Sequence, residues 1–155
     1  MTPVGNPQQI TEHIHALQQA LPASVTLIGV TKFFPTDVMR VAYEAGIRHF
    51  GESRVQEAIP KQAELKDLPD LTWHLIGHLQ SNKVRKAVSH FHWIHSVDSL
   101  KIARKIDQAA AELQVTPQCC LQVKMVPDPP KYGFDVGDLV QALPALNQLT
   151  HLDIR

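Results

Sequence analysis

Six short apolar, β-prone runs, each separated from the next by a segment with helical spacing, constrain this chain more than any other feature. The runs begin near residues 25, 47, 71, 91, 118 and 149. Between them the apolar residues recur three and four apart. Val38, Val41, Ala42 and Ala45 form one such stripe, and Leu100, Ala103, Ile106, Ala110 and Leu113 form another. A leading helix is expected over residues 7 to 20, with Ile10, Ile14, Leu17 and Ala20 on one side and Pro22 closing it. Repeated strand–helix alternation requires a parallel sheet covered by helices. Two architectures satisfy that requirement, an open doubly wound sheet and a (β/α) barrel, and periodicity does not choose between them. Each unit takes some twenty to thirty residues, so a closed eight-unit barrel would need roughly 200 residues or more. The chain has 155 and stops inside the apolar run THLDIR, which gives the expectation of a barrel lacking its last strands, about six of eight.

Local signals set the expected boundaries. Thr36 is placed as the cap of the second helix and Gly46 as its stop. Ser53 and Gln56 read as a capping box for the third helix, with Pro60 as a kink. SNKVRKAVSHF reads as a basic helix, and Asp98 or Ser99 opens the next. CCLQVKMV is expected as one strand, PDPPKYGF as an irregular loop, and DVGDLVQALPALNQL as a helix interrupted or ended near Pro144. No linker or low-complexity tract divides the chain, so one domain over 1–155 is expected.

Charge and composition exclude several function classes. Fifteen basic and fifteen acidic residues cancel, and aromatic residues make up only 6%, which argues against nucleic acid as a partner. No apolar run approaches 18 residues and no basic-then-apolar leader opens the chain, so neither a membrane nor secretion is expected. Cys119 and Cys120 are adjacent, a poor geometry for a disulfide, and read as reduced thiols of a cytoplasmic protein.

In either parallel fold, chemistry gathers at the C-terminal ends of the strands. Those ends carry Lys32, Gly51-Glu52-Ser53, Gly77-His78, Ser96-Val97-Asp98 and the stretch from Lys124. In LIGVTKFFP, Ile28, Val30 and Lys32 share one side of an extended chain. An ammonium there is either a solvated lysine leaving the core or an amine held at the mouth of an apolar pocket, where desolvation favours the nucleophilic form. Lys124 is a rival on residue type alone. Glu52 reads as a partner of a helix dipole, with general base as the alternative. Nine histidines invite a metal, yet His74 and His78 lack helical geometry, and His90, His92 and His95 do not share a face, so no metal site is expected. Lys83, Arg85 and Lys86 suit either a phosphate or a solvated helix face, and no dinucleotide or P-loop motif is present.

Several runs in order, GVTK, FGESRVQEA, WHLIGHLQSNKVRKAV, IHSVDS, LQVKM and KYGF, resemble the pyridoxal 5′-phosphate homeostasis protein family, the YggS/PROSC group, and within it the PipY type. The resemblance runs from about residue 8 to residue 155 and is most specific in WHLIGHLQSNK. It implies a barrel of the alanine racemase N-terminal type. It further implies pyridoxal 5′-phosphate held as a Schiff base on Lys32, with Ser53, His74, Ile76 and Gly77 at the cofactor pocket, and it demotes Lys124. Ser53 stands where many relatives have asparagine. The implied role is vitamin B6 and amino-acid or keto-acid homeostasis, by a monomer without catalytic turnover. The segment that in the family follows HLDIR supplies the last strands, a phosphate cradle and an arginine at the pyridine nitrogen, so weakened cofactor binding is expected of this chain. A racemase- or decarboxylase-like enzyme and a cofactor-free fragment are the alternatives.

Overall fold

The computed structural model describes residues 6–126 and 131–155. Helix α1 (Pro7–Ala20) opens as anticipated, with proline in its first turn and the Asn6 side chain accepting the Gln8 amide at 3.0 Å. Strand β1 (Ile28–Val30), helix α2 (Thr36–Glu44), strand β2 (His49–Glu52), helix α3 (Val55–Glu64) and strand β3 (Thr72–Leu75) follow. A 3₁₀ turn at Ser81–Lys83 leads into α4 (Val84–His90), then β4 (Trp93–Val97) and α5 (Leu100–Leu113). The last part comprises β5 (Gln118–Leu121), β6 (Val123–Lys124), β7 (Phe134–Asp135), α6 (Val136–Leu146) and β8 (Asp153–Ile154).

Six strands pair in parallel in the order β1-β2-β3-β4-β5-β8. The order follows the chain without reversing. A doubly wound sheet reverses at a switch point. Right-handed crossovers that always advance in one direction put every helix on the same side, which is how a barrel wall is built. The strand order therefore resolves what periodicity left open: the fold is of the barrel type, and the described residues form six strands of it. Within them, β1 and β8 are paired along one edge only.

Register assigns the two faces. Residues paired across a parallel ladder share a side, so Phe50 and Trp73 face one way with Glu52, Leu75, Ile94 and Cys119. Phe50, Leu75, Ile94 and Cys119 are fully buried and pack with Met39, Ala58, Leu65, Ala103 and Ile106 from the helices. The core is thus the layer between sheet and helices. The opposite, concave face carries Ile28, Val30, His49, Gly51, Thr72, His74 and Trp93, and most of it is only half-buried.

Local expectations need correction in several places. β1 is shorter than 25–32, because the chain turns after Thr31. Thr36 lies inside α2, its hydroxyl donating to Glu64, and Pro35 takes the cap position. The Ser53–Gln56 capping box does not form: Arg54 is the cap residue of α3 and no side chain caps it. Pro60 lies inside α3, and α6 runs through Pro144 to end at Leu146, near the expected stop. CCLQVKMV is two strands, since the chain breaks at Gln122 and Val123–Lys124 pairs with Phe134–Asp135 in a separate two-stranded sheet. The loop expectation for PDPPKYGF fails at Phe134, and its residues 127–130 lie outside the described residues. Ser99, rather than Asp98, caps α5 through the Ile102 amide.

Candidate functional site

Lys32 lies just beyond β1 in a tight turn. The Phe34 amide donates to the Thr31 carbonyl at 3.0 Å, and Phe33 between them has φ of +70°, the left-handed region that a bulky side chain enters only at a cost. Thr31 is buried and Lys32 is exposed, so the chain changes environment within one residue. The amine is not enclosed by an apolar pocket built from the described residues: Lys32 is exposed, and Val30 and Phe34, its neighbours along the chain, are each nearly half open to solvent. Its ammonium lies 5.9 Å from the Phe33 ring centroid.

Behind that turn stands a cluster that the sequence did not announce. Glu52 is completely buried on the helix-facing side of β2. Its Oε1 accepts from the Thr31 hydroxyl at 2.7 Å and from Lys61 Nζ of α3 at 2.7 Å. Lys61 Nζ also donates to the Thr31 carbonyl at 2.9 Å. Glu52 is therefore neither a helix-dipole partner at the surface nor a carboxylate facing a ligand.

The other strand-end positions fall into neighbouring groups. A Cβ placed on Gly51 would lie 3.3 Å from both Ile28 Cγ2 and Ile76 Cδ1, so these two isoleucines close over Gly51 and form an apolar floor on the concave face. Gly77 is under stricter constraint. A Cβ there would fall 2.1 Å from the Ser53 carbonyl oxygen, so no side chain fits where the ends of β2 and β3 cross. The Ser96 hydroxyl donates to the Gly77 carbonyl at 2.6 Å and fixes that crossing. Ser53 and Gly77 together border a cleft of about 610 Å³ that also touches Arg54, Gln56, Leu79 and Lys83.

His74 is adjacent to this group but engaged elsewhere. Its Nε2 meets His49 Nδ1 at 2.9 Å and its Nδ1 meets His95 Nε2 at 2.9 Å, giving a row of three imidazoles across β2, β3 and β4. Trp93 stacks on His74 and on His95 at 5.8 and 5.7 Å between ring centroids. Burial pushes the His74 imidazole pKa down to about 3, helped by the charges its histidine neighbours would carry, and burial lowers His49 and His95 as well. The ring nitrogens face each other, so they do not converge on a metal. Among the described residues no group of three or more histidine, cysteine or acidic side chains is set to hold one.

Of the five positions that the resemblance marks, the structure joins Ser53 to Gly77 and places Ile76 over Gly51. It leaves His74 in the imidazole row and Lys32 exposed at the strand end. Lys124 pairs with Asp135 at 3.3 Å in the small second sheet. A cleft of about 370 Å³ bordered by Lys124 also touches His78, which is stacked on Tyr132 and 3.0 Å from Asp98. Another cleft, of about 650 Å³, opens at the opposite end of the strands around His49, Thr72, His92 and Gln118. In parallel barrels that end serves stability, while chemistry sits at the C-terminal end. The imidazole row escaped sequence reasoning because its members are 25 and 21 residues apart. A signal existed in their parity: each histidine falls on the same face, two residues further along each successive strand.

The family model of the alanine racemase N-terminal domain matches residues 6–155. The pyridoxal phosphate homeostasis protein of Synechocystis sp. is 50% identical over 134 residues, covering 86% of this chain and 62% of its own length. Its counterpart in Pseudomonas aeruginosa is 45% identical, covering 86% and 58%. The solved structure of PipY from Synechococcus elongatus, with PLP bound, superposes with a TM-score of 0.91 at 58% identity and covers 95% of this chain and 68% of PipY. The chain spans about three fifths of the length of the first two relatives.

Proposed function

The chain belongs to the alanine racemase N-terminal domain family and, within it, to the pyridoxal phosphate homeostasis proteins, and on that footing we propose that it binds pyridoxal 5′-phosphate covalently through Lys32. The observation that carries the reading is the position of Lys32: an exposed amine in the turn that ends β1, in a chain 58% identical to a protein solved with PLP bound. The cofactor supplies an electrophilic aldehyde carbon. The residues here supply the rest of what the described mouth offers. Lys32 presents the amine, Ile28 and Ile76 offer apolar surface beside the small Gly51, and Ser53 and Gly77 shape the adjoining strand crossing. His74 braces the wall from the concave face through His49 and His95.

The role that follows is buffering of vitamin B6 and of amino-acid and keto-acid levels, by one barrel domain acting in the cytoplasm as a monomer, without catalytic turnover. Turnover would need a second proton-exchanging group beside Lys32. Glu52 is turned into the helix layer and His78 is engaged by Asp98 and Tyr132. No helix among the described residues is long and apolar enough to cross a membrane.

The test is an absorption spectrum of the purified chain with added pyridoxal phosphate, beside Lys32→Ala, followed by borohydride trapping and peptide mapping. An imine band lost in the variant, with label on Lys32 and not on Lys124, is the expected result. Equal labelling of scattered lysines overturns the reading. Incubation with a pure enantiomer of an amino acid is expected to give no racemised or decarboxylated product.

A further inference from the structure

We propose that Glu52 and Lys61 are positioning residues for Lys32: a buried ion pair that locks the peptide on which the amine is presented. The inference rests on the reading of Lys32 as the attachment residue. Thr31, the residue before Lys32, is held at three points. Its amide donates to the Gly51 carbonyl at 3.0 Å, its hydroxyl donates to Glu52, and its carbonyl accepts from both Lys61 Nζ and the Phe34 amide. The residue after Lys32 has the opposite character. Phe33 holds a left-handed backbone while the residue is 82% exposed, so its own packing does not stabilise that conformation. The turn must then be maintained from its other end, and the Thr31 carbonyl is the shared acceptor through which that happens.

The composition of the brace points the same way. Glu52 is 0% exposed and the Lys61 side chain 15%, and among the described residues Glu52 Oε2 has no hydrogen-bond partner. Burying such a pair costs desolvation that its own attraction often fails to repay, so an apolar pair of similar volume would hold α3 against β2 as well or better. An apolar pair would not, however, offer an ammonium to the Thr31 carbonyl or a carboxylate to the Thr31 hydroxyl. What the charges add over packing is fixation of this one peptide. The polar network couples three elements, β1, β2 and α3, at the point where the chain passes from buried Thr31 to exposed Lys32.

The double variant Glu52→Leu with Lys61→Met removes both charges together and leaves no buried ion unpaired. Two measurements on the 155-residue chain are compared with the unmodified sequence: amide hydrogen exchange at Phe34, which reports the turn directly, and borohydride-trapped pyridoxal phosphate at Lys32, expressed per mole of chain. We expect the variant to remain folded, with Phe34 exchange faster by about tenfold or more and Lys32 labelling lower by a similar factor, since bonds to charged groups are being lost. A merely structural pair would leave both readouts unchanged in the folded variant, and that result overturns the proposal. If the unmodified chain itself does not label at Lys32, the attachment reading fails, and Phe34 exchange alone decides whether the pair holds the turn. Should the double variant not fold, Thr31→Val against Thr31→Ser gives the same comparison. Faster Phe34 exchange in the valine variant, rescued by the serine, supports the proposal, and equal exchange in both overturns it.

Discussion

His49 and His74 meet nitrogen to nitrogen at 2.9 Å across neighbouring strands, Nδ1 of one against Nε2 of the other. A neutral imidazole carries one N–H and one lone pair, so this contact takes one proton, and the next, to His95, takes another. The row is therefore satisfied when its members are neutral. A positive charge on the buried central ring, which is 2% exposed, would be flanked by two further histidines.

From this follows a dependence of stability on acid. His74 has its pKa lowered from 6.5 to about 3, so between those values the unfolded chain binds a proton that the folded chain does not. Stability is full above the unfolded value and is lost as pH falls toward the folded one. His74 alone contributes a loss of about 2 kcal/mol between pH 7 and pH 5, at about 1.4 kcal/mol per proton and pH unit. His49, His92 and His95, also lowered, add in the same direction. Urea unfolding at the two pH values measures the loss, and His74→Gln is expected to flatten it. A profile equally steep in that variant would assign the acid sensitivity to other groups.

Gly77→Ala is expected to be far more damaging than Gly51→Ala. The added methyl at Gly77 meets the Ser53 carbonyl, which is backbone and moves only with the strand end, for an expected cost of about 3 kcal/mol or more. At Gly51 the methyl meets the tips of Ile28 and Ile76, which turn aside for about 1 kcal/mol. Denaturation midpoints of the two variants give the comparison, and equal costs would show that the β2–β3 crossing is not closed.

Phe33→Gly is expected to keep or raise stability by up to about 1 kcal/mol, because glycine adopts φ of +70° without strain, offsetting its larger unfolded entropy. Phe50→Ala is expected to lose about 3 to 5 kcal/mol, because Phe50 is fully buried in the sheet–helix core. Thermal unfolding distinguishes the two phenylalanines. A large loss at Phe33 would mean that its exposed ring packs after all.

Breaking the buried pair singly is expected to be worse than removing it whole. Lys61→Met leaves the Glu52 carboxylate buried without its counter-ion, at about 3 to 5 kcal/mol. The double variant Glu52→Leu with Lys61→Met is expected to lie well above that single variant in stability. A double-mutant cycle in urea reads the coupling, and additive costs would show that the two charges do not interact.

Much of this architecture was legible in the sequence alone. Apolar spacing placed α1 over residues 7 to 20 as observed, and located the five helices that follow it and the six main strands. The errors lay at boundaries. Thr36 and Ser53 are good capping residues by type, but Thr36 is drawn to Glu64 and Ser53 is held against Gly77. Both contacts join residues more than twenty positions apart, beyond the reach of any local rule. The break at Gln122 has the same origin, since its amide donates to the Val97 carbonyl while Val123 turns away to pair with Phe134.

The sequence by itself determined the alternation of strand and helix, the family, and the lysine on which the proposed function turns, because periodicity and short motifs are written in neighbouring residues. Only the tertiary structure decided that the sheet winds in one direction, that His49, His74 and His95 align, and that Glu52 turns away from the mouth to hold the turn behind Lys32. Those facts depend on register between strands. A shift of one residue sends every side chain of a strand to its other face, and register is set by packing across the whole layer rather than by the residues of one strand.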